Sequence, residues 1–299
     1  MSYALTYGVV PISDTNAHFQ AWGKSISDAL ANSGWIKWAD ANVGAQINWA
    51  TVPAPTTNNA SAGYEIWSMG DSQQATTPIV LKIEYGSASS GAGTLPQIYT
   101  TVGSSANSSG GIPGNTIPQT LFTLSGTNTS PQTSYYSGSP SRFNMAWSPS
   151  AANYSLVLGI ERTLDTSGAY STEGCMMIKA DTAGTANRWQ VAWTPSTGNV
   201  TAWETSWGIL MPGAVANSSF RMGQPTRYIA AYPCFFSAGT LMNPCTMVMG
   251  YFVNDYTTGT LLPYPVYGAN VTYVPLGNLS TYGASVRGGT RTCLMMRYD

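Results

Sequence analysis

The sequence holds few side chains that could perform acid–base or nucleophilic catalysis. His18 is its only histidine, so a Ser/His/Asp or Cys/His mechanism would have to run through this residue. It lies beside Phe19 in a segment with the spacing of an amphipathic helix. A histidine in such a position is far more often a packing residue than a catalyst. We therefore expect no catalysis by imidazole.

Carboxylates are the remaining candidates for hydrolysis. A glycosidase needs two carboxyl groups that converge across a cleft, and four acidic residues lie in or beside predicted strands of the second half: Glu161, Asp165, Glu173 and Glu204. Arg162 follows Glu161 directly, and in a charge-poor chain a structural ion pair is the simpler explanation. Polysaccharide hydrolysis by Glu161, Glu173 or Glu204 is therefore a secondary hypothesis, and the sequence predicts that the protein is not an enzyme.

The cysteines do not form a recognisable metal or redox motif. All four are widely separated, at Cys175, Cys234, Cys245 and Cys293. They make neither a CxxC pair nor a Cys/His ligand set, so we expect reduced, buried thiols. The glycines cluster in loops without a following helix, which argues against a phosphate-binding loop. We expect no metal ion and no cofactor.

The composition argues against nucleic acid and membranes as partners. The chain has 299 residues, and only 8% of them are charged, against about one quarter in typical proteins. A net charge of -1 offers no attraction for nucleic acid or an anionic membrane. No apolar run is long enough to span a bilayer, and the first residues lack the features of a secretion signal. A nearly neutral, hydroxyl-rich and aromatic-rich surface is typical of a protein packed against neighbours.

One amphipathic helix is predicted over residues 14–33. Asp14 or Thr15 can cap its start, and Gly34 stands where a left-handed C-terminal cap belongs. Apolar residues at three- and four-residue spacing form a candidate docking face: Phe19, Trp22, Ile26 and Leu30. This face must be buried against the protein's own β domain or in a groove of a partner subunit. The sequence does not distinguish the two.

A β-hairpin is predicted from Gly63 to Gly86, with Gln97–Val102 as a third strand. Two alternating sets of residues in its second strand give the period-two pattern of a half-buried strand: Ile79, Leu81, Ile83 and Tyr85 against Val80, Lys82 and Glu84. Three charged side chains lie in the hairpin: Glu65, Lys82 and Glu84. They either fix the hairpin at a surface or interface or, more simply, point to solvent from its outer faces.

Long polar loops are predicted beyond these strands, at residues 103–115 and 125–140. The second carries Tyr135 and Tyr136, and with Asp255–Tyr267 it has the aromatic and small polar composition of recognition surfaces. Tyr135 and Tyr136 are therefore candidate surface-recognition residues that could stack on sugar rings. Ordinary loops covered by other subunits explain the composition equally well.

From about Phe143 the sequence becomes rich in strands. Seven are predicted: Tyr154–Arg162, Cys175–Ala180, Arg188–Thr194, Val200–Trp207, Arg227–Phe236, Thr246–Val253 and Thr292–Arg297. Because no helical pattern separates them, a sandwich or barrel is favoured over alternating α/β. Four tryptophans could form one wall of its core: Trp189, Trp193, Trp203 and Trp207.

The predicted fold class is therefore mainly β, with antiparallel sandwich-like or barrel-like domains and one N-terminal amphipathic helix. We expect a helix and docking arm over residues 1–50. A hairpin-centred module with long polar loops follows over 51–142, and a sandwich-like domain over 143–299.

Four segments follow one another in the first third of the chain: the helix Ala21–Leu30, QINWATV at Gln46–Val52, GYEIW at Gly63–Trp67, and PIVLKIEYG at Pro78–Gly86. This order of a helix, Q-I-x-W-A-T-V, G-Y-E-I-W and P-x-x-x-K-I-E-Y-G resembles an N-terminal region of uncharacterised virion proteins of tailed bacteriophages. Where those proteins continue with an aromatic residue and a T-V-G-T-G run, this chain has IYTTVGSSANSSGG.

The resemblance implies a structural protein of a phage particle, made in the host cytoplasm and located in the virion. Its expected partners are other virion proteins and copies of itself, with a host-surface glycan as a further candidate. The first hypothesis is a tail, baseplate or fibre-associated component whose helix and hairpin dock onto a neighbour. The alternatives are a capsid decoration or head-to-tail protein, a glycan-binding adhesin and the polysaccharide hydrolase.

Overall fold

The computed structural model describes residues 2–10, 15–38, 46–57, 60–90, 93–113, 117–123, 132–148, 156–163, 174–181, 189–193, 200–202, 235–237, 240–242, 247–252, 261–266, 269–278 and 291–299. Within these segments the protein is mainly β, with antiparallel strand pairs and one α-helix. The predicted fold class is confirmed at this level. None of the described helices is long and apolar enough to cross a membrane.

The helix α1 spans Asn16–Asn32. The strands are β1 (Tyr3–Val10), β2 (Ile36–Lys37), β3 (Ser61–Ser68), β4 (Val80–Ser90), β5 (Gly93–Gly103), β6 (Ile117–Thr123), β7 (Gln132–Ser139), β8 (Arg142–Ser148), β9 (Leu156–Thr163), β10 (Gly174–Asp181), β11 (Trp189–Trp193), β12 (Val200–Ala202), β13 (Phe235–Ser237), β14 (Thr240–Met242), β15 (Met247–Phe252), β16 (Leu262–Val266), β17 (Ala269–Asn278) and β18 (Arg291–Arg297).

The chain divides into two compact units. The N-terminal unit comprises residues 1–143 with 193–200, and the C-terminal unit comprises 144–192 and 201–299. Residues 1–50 therefore belong to the same unit as the hairpin and do not form a separate docking arm.

The N-terminal unit contains a five-stranded antiparallel sheet in the order β2-β3-β4-β5-β6. The predicted hairpin is confirmed as β3 and β4, which pair from Ser61↔Gly86 to Ser68↔Val80. The predicted third strand is β5, and it is longer than predicted. It pairs with β4 over its whole length, from Val80↔Gly103 to Ser90↔Gly93. A further pair in this unit, β1 with β7, was not expected from the sequence.

Helix α1 has the ends that its sequence predicts. The Oγ1 of Thr15 accepts a hydrogen bond from the His18 backbone N–H at 3.3 Å, which satisfies one of the free donors at the start of the helix. At the other end Gly34 has φ 89°. Its N–H bonds to the Ala31 carbonyl, and the Trp35 N–H bonds to the Leu30 carbonyl, the pair of bonds that defines a Schellman cap.

The apolar face of α1 is buried inside the N-terminal unit. Phe19, Trp22, Ile26 and Leu30 are all 0% exposed, and the helix contacts β1, β2 and β7. Of the two fates open to this face, burial against its own domain is the one observed. The four residues are thus core residues, and the prediction that they form a docking face for a partner is wrong.

The C-terminal unit contains an antiparallel sheet in the order β15-β18-β17-β16, the pair β13–β14, and the paired strands β9 and β10. Asn144, in β8, donates a hydrogen bond to the Arg297 carbonyl in β18 at 3.1 Å. Each of the seven strands predicted here overlaps an observed one: β9, β10, β11, β12, β13, β15 and β18. Trp203 and Trp207 lie outside the described residues, so the tryptophan wall stays a prediction.

Two predicted loops contain strands. Within the loop predicted at residues 125–140, residues 132–139 form β7. Within the predicted loop Asp255–Tyr267, Leu262–Val266 forms β16. The serines made residues 125–140 resemble a loop, yet Ser134 and Ser137 are buried in β7. Tyrosine favours strands, and β7 pairs with β1 and packs against α1 in spite of its polar composition.

Candidate functional site

The best-defined group of ionisable side chains in the N-terminal unit surrounds Glu65. We call it the polar cluster, and its members come from four elements: Ser27 of α1, Lys37 of β2, Glu65 of β3 and Tyr85 of β4. The sheet register places Glu65 opposite Ile83 and Gly63 opposite Tyr85. Glu65 and Tyr85 are therefore diagonal neighbours on the side of the sheet that faces the helix.

Three donors surround the carboxylate of Glu65. The Ser27 hydroxyl and the Lys37 ammonium donate to Oε1 at 2.9 and 2.7 Å, and the Tyr85 hydroxyl donates to Oε2 at 3.1 Å. The Glu65 side chain is 0% exposed, whereas that of Lys37 is 39% exposed. The cluster thus joins a fully enclosed carboxylate to a cation that reaches solvent at the edge of the sheet.

Tyr85 is held in its neutral form. Burial raises its pKa well above the ordinary value, and the neighbouring Glu65 carboxylate raises it further, because a tyrosinate there would be desolvated and beside a like charge. Tyr85 therefore acts as a hydrogen-bond donor to Glu65 at neutral pH, and it is not a nucleophile.

Aromatic rings pack around the Tyr85 end of the cluster. The Trp49 ring meets Tyr85 edge-on with centroids 4.6 Å apart, and Trp22 meets the same ring at 5.9 Å. Trp49 also lies so close to the backbone of Gly23 that a β-carbon there would overlap its ring. This packing requires glycine at position 23.

Glu65 was predicted either to fix the hairpin at a surface or interface or to point to solvent. Both alternatives are wrong, since its side chain is enclosed in the unit. The sequence carried a signal for this burial. Residues two apart in a strand share a face of the sheet, so Glu65 lies on the same face as Trp67, which is buried. Lys82 and Glu84 do lie on the outer side of the hairpin. They form a 3.0 Å ion pair, with the Glu84 side chain 36% exposed.

The outer side of the hairpin also buries a small apolar group. Ile66 and Val80 are both 0% exposed, and four partly buried residues pack against them: Trp38, Tyr64, Ala106 and Ile112. Val80 lies on the outer face with Lys82 and Glu84, yet it is buried, because residues 103–113 cover part of this face.

The two candidate recognition residues lie in the interior of the N-terminal unit. Tyr135 is 6% and Tyr136 0% exposed, so the prediction that they form an exposed recognition surface is wrong. The hydroxyl oxygen of Tyr136 instead lies 3.0 Å from that of Ser25, and its ring stacks on the Phe143 ring. His18 is half-buried at the start of α1.

Of the four acidic residues considered for hydrolysis, Glu161 lies within the described residues. Glu161 is half-buried in β9 and pairs with Met176 of β10. Asp165, Glu173 and Glu204 lie outside the described residues. Within the described segments, no three His, Cys, Asp or Glu side chains lie close enough together to hold a metal ion.

Three of the four segments that carry the phage resemblance supply side chains to the polar cluster, and the fourth packs against it. The helix segment supplies Ser27, the GYEIW segment supplies Glu65, and the KIEYG segment supplies Tyr85. The QINWATV segment supplies the Trp49 ring, and its Gln46 accepts a hydrogen bond from the Ile66 N–H at 3.0 Å. The shared residues Gln46, Trp49, Glu65 and Tyr85 thus contribute to the contacts between the connecting segment and the hairpin.

Comparisons of the chain with protein-family models, with curated proteins and with solved structures give no match.

Proposed function

We propose that this chain is a structural component of a tailed-phage virion that acts through protein–protein assembly, in the tail, the baseplate or a fibre-associated position. The observation that carries the proposal is that three of the four resembling segments supply side chains to the polar cluster, while the fourth packs the Trp49 ring against Tyr85. All four segments lie in the N-terminal unit. Their contact supports a common folded module behind the resemblance.

The polar cluster is not arranged for catalysis by Glu65. Glu65 accepts hydrogen bonds from Ser27, Lys37 and Tyr85, and its side chain has no exposed surface. A general acid or base must reach the proton that it transfers. A carboxylate enclosed in this way stabilises the fold and cannot meet a substrate.

The low charge supports the same proposal. Only 12 basic and 13 acidic residues occur in 299, and a charge-poor surface favours association over solubility as a free monomer. Because the apolar face of α1 is enclosed, contacts with neighbouring virion proteins must use other surfaces than the one that the sequence suggested. The capsid decoration protein remains the principal alternative, since no described contact favours the tail over the head.

The experiment that tests this proposal is to purify the phage particles and locate the chain in them. Mass spectrometry of the purified particles should detect the protein at a fixed copy number relative to the major capsid protein, and cryo-electron microscopy should place its N-terminal unit at the tail or baseplate. Density on the capsid shell would favour the decoration protein. Absence of the chain from particles that infect normally would refute a structural role in the virion.

A further inference from the structure

We draw no further inference here: the strongest candidate, the surface patch at the β2 edge of the five-stranded sheet, where Ile36 is 58% exposed two residues from the half-buried Trp38, carries nothing because no feature of the described residues shows what covers it.

Discussion

The two sides of the β3–β4 hairpin each carry a lysine–glutamate pair with similar geometry. On the side that faces α1, Lys37 lies 2.7 Å from Glu65, and on the outer side Lys82 lies 3.0 Å from Glu84. The carboxylates differ in environment, because the Glu65 side chain is 0% exposed and that of Glu84 is 36% exposed, whereas the lysines have the opposite order, with Lys37 at 39% and Lys82 at 14%. Distance alone therefore does not tell what each pair contributes to stability.

The enclosed carboxylate needs its partners and the outer one does not. An ion in the protein interior loses its hydration, so each lost partner leaves an unpaired charge at a cost of several kcal/mol. A carboxylate near the surface recovers water when its partner is removed. The inner pair should thus fix how the helix and sheet pack together, whereas the outer pair should be nearly neutral for stability.

The substitution Glu65→Ala should have the largest effect. It leaves the Ser27 and Tyr85 hydroxyls without their acceptor and opens a small cavity, so we expect a loss of about 3–5 kcal/mol in the free energy of unfolding. Urea denaturation followed by tryptophan fluorescence measures this loss. The matched control on the outer side is Glu84→Ala, for which we expect less than about 1 kcal/mol. Equal losses at the two positions would contradict the distinction between the two sides.

The substitution Gly23→Ala should come next. In an exposed helix the change would stabilise by about 1 kcal/mol, but here the new methyl group overlaps the Trp49 ring. We expect a net loss of about 1–3 kcal/mol from the displaced ring, measured by thermal unfolding. The reverse change at the exposed side of the same helix, Ala21→Gly, should cost only about 1 kcal/mol. A stabilised Gly23→Ala protein would show that the Trp49 ring is not packed tightly against Gly23.

Tyr85→Phe should separate the hydrogen bond from the packing. The ring and its contacts remain, but Oε2 of Glu65 loses the Tyr85 donor, which should cost about 1–3 kcal/mol at pH 7.

The pH dependence of the same variant tests the raised pKa. Because folding raises the pKa of Tyr85, the neutral hydroxyl contributes its full stability below about pH 10, the ordinary value for tyrosine. Above that pH the unfolded chain releases this proton while the folded chain keeps it. The free energy of unfolding therefore falls as the pH rises through the folded-state pKa. The wild type should lose stability more steeply than Tyr85→Phe between about pH 10 and 11, and parallel profiles would contradict a neutral, enclosed Tyr85.

Local patterns predicted much of the N-terminal unit. The Thr15 and Gly34 caps depend on neighbouring residues alone, and the alternation in β4 follows directly from strand geometry. These features could be read from the sequence because their physical causes lie within a few residues.

The polar cluster could not be predicted in the same way. Ser27, Lys37 and Tyr85 are up to 58 positions apart, and the 2.9 Å contact between Ser27 and Glu65 exists only after the helix lies on the sheet. The burial of Tyr136 also depends on a distant element, since α1 packs against β7 and its Ser25 hydroxyl lies 3.0 Å from that of Tyr136. Sequence composition reports polarity, but the number of neighbours decides burial.

The exposed pair Lys24–Asp28 on α1 should give the smallest effect and sets the scale for the others. Its side chains are 59% and 44% exposed at a separation of 2.6 Å. The expected coupling is about 0.3–0.5 kcal/mol, the value for i,i+4 pairs on helices. A double-mutant cycle with Lys24→Met and Asp28→Asn measures it, and 1 M NaCl should abolish it because the screening length falls to about 3 Å. The effect of Glu65→Ala should persist in the same salt, since the desolvation of a buried carboxylate is screened much less. If salt reduced both effects in proportion, Glu65 would behave as a surface charge, and the enclosed and exposed pairs would not differ in kind.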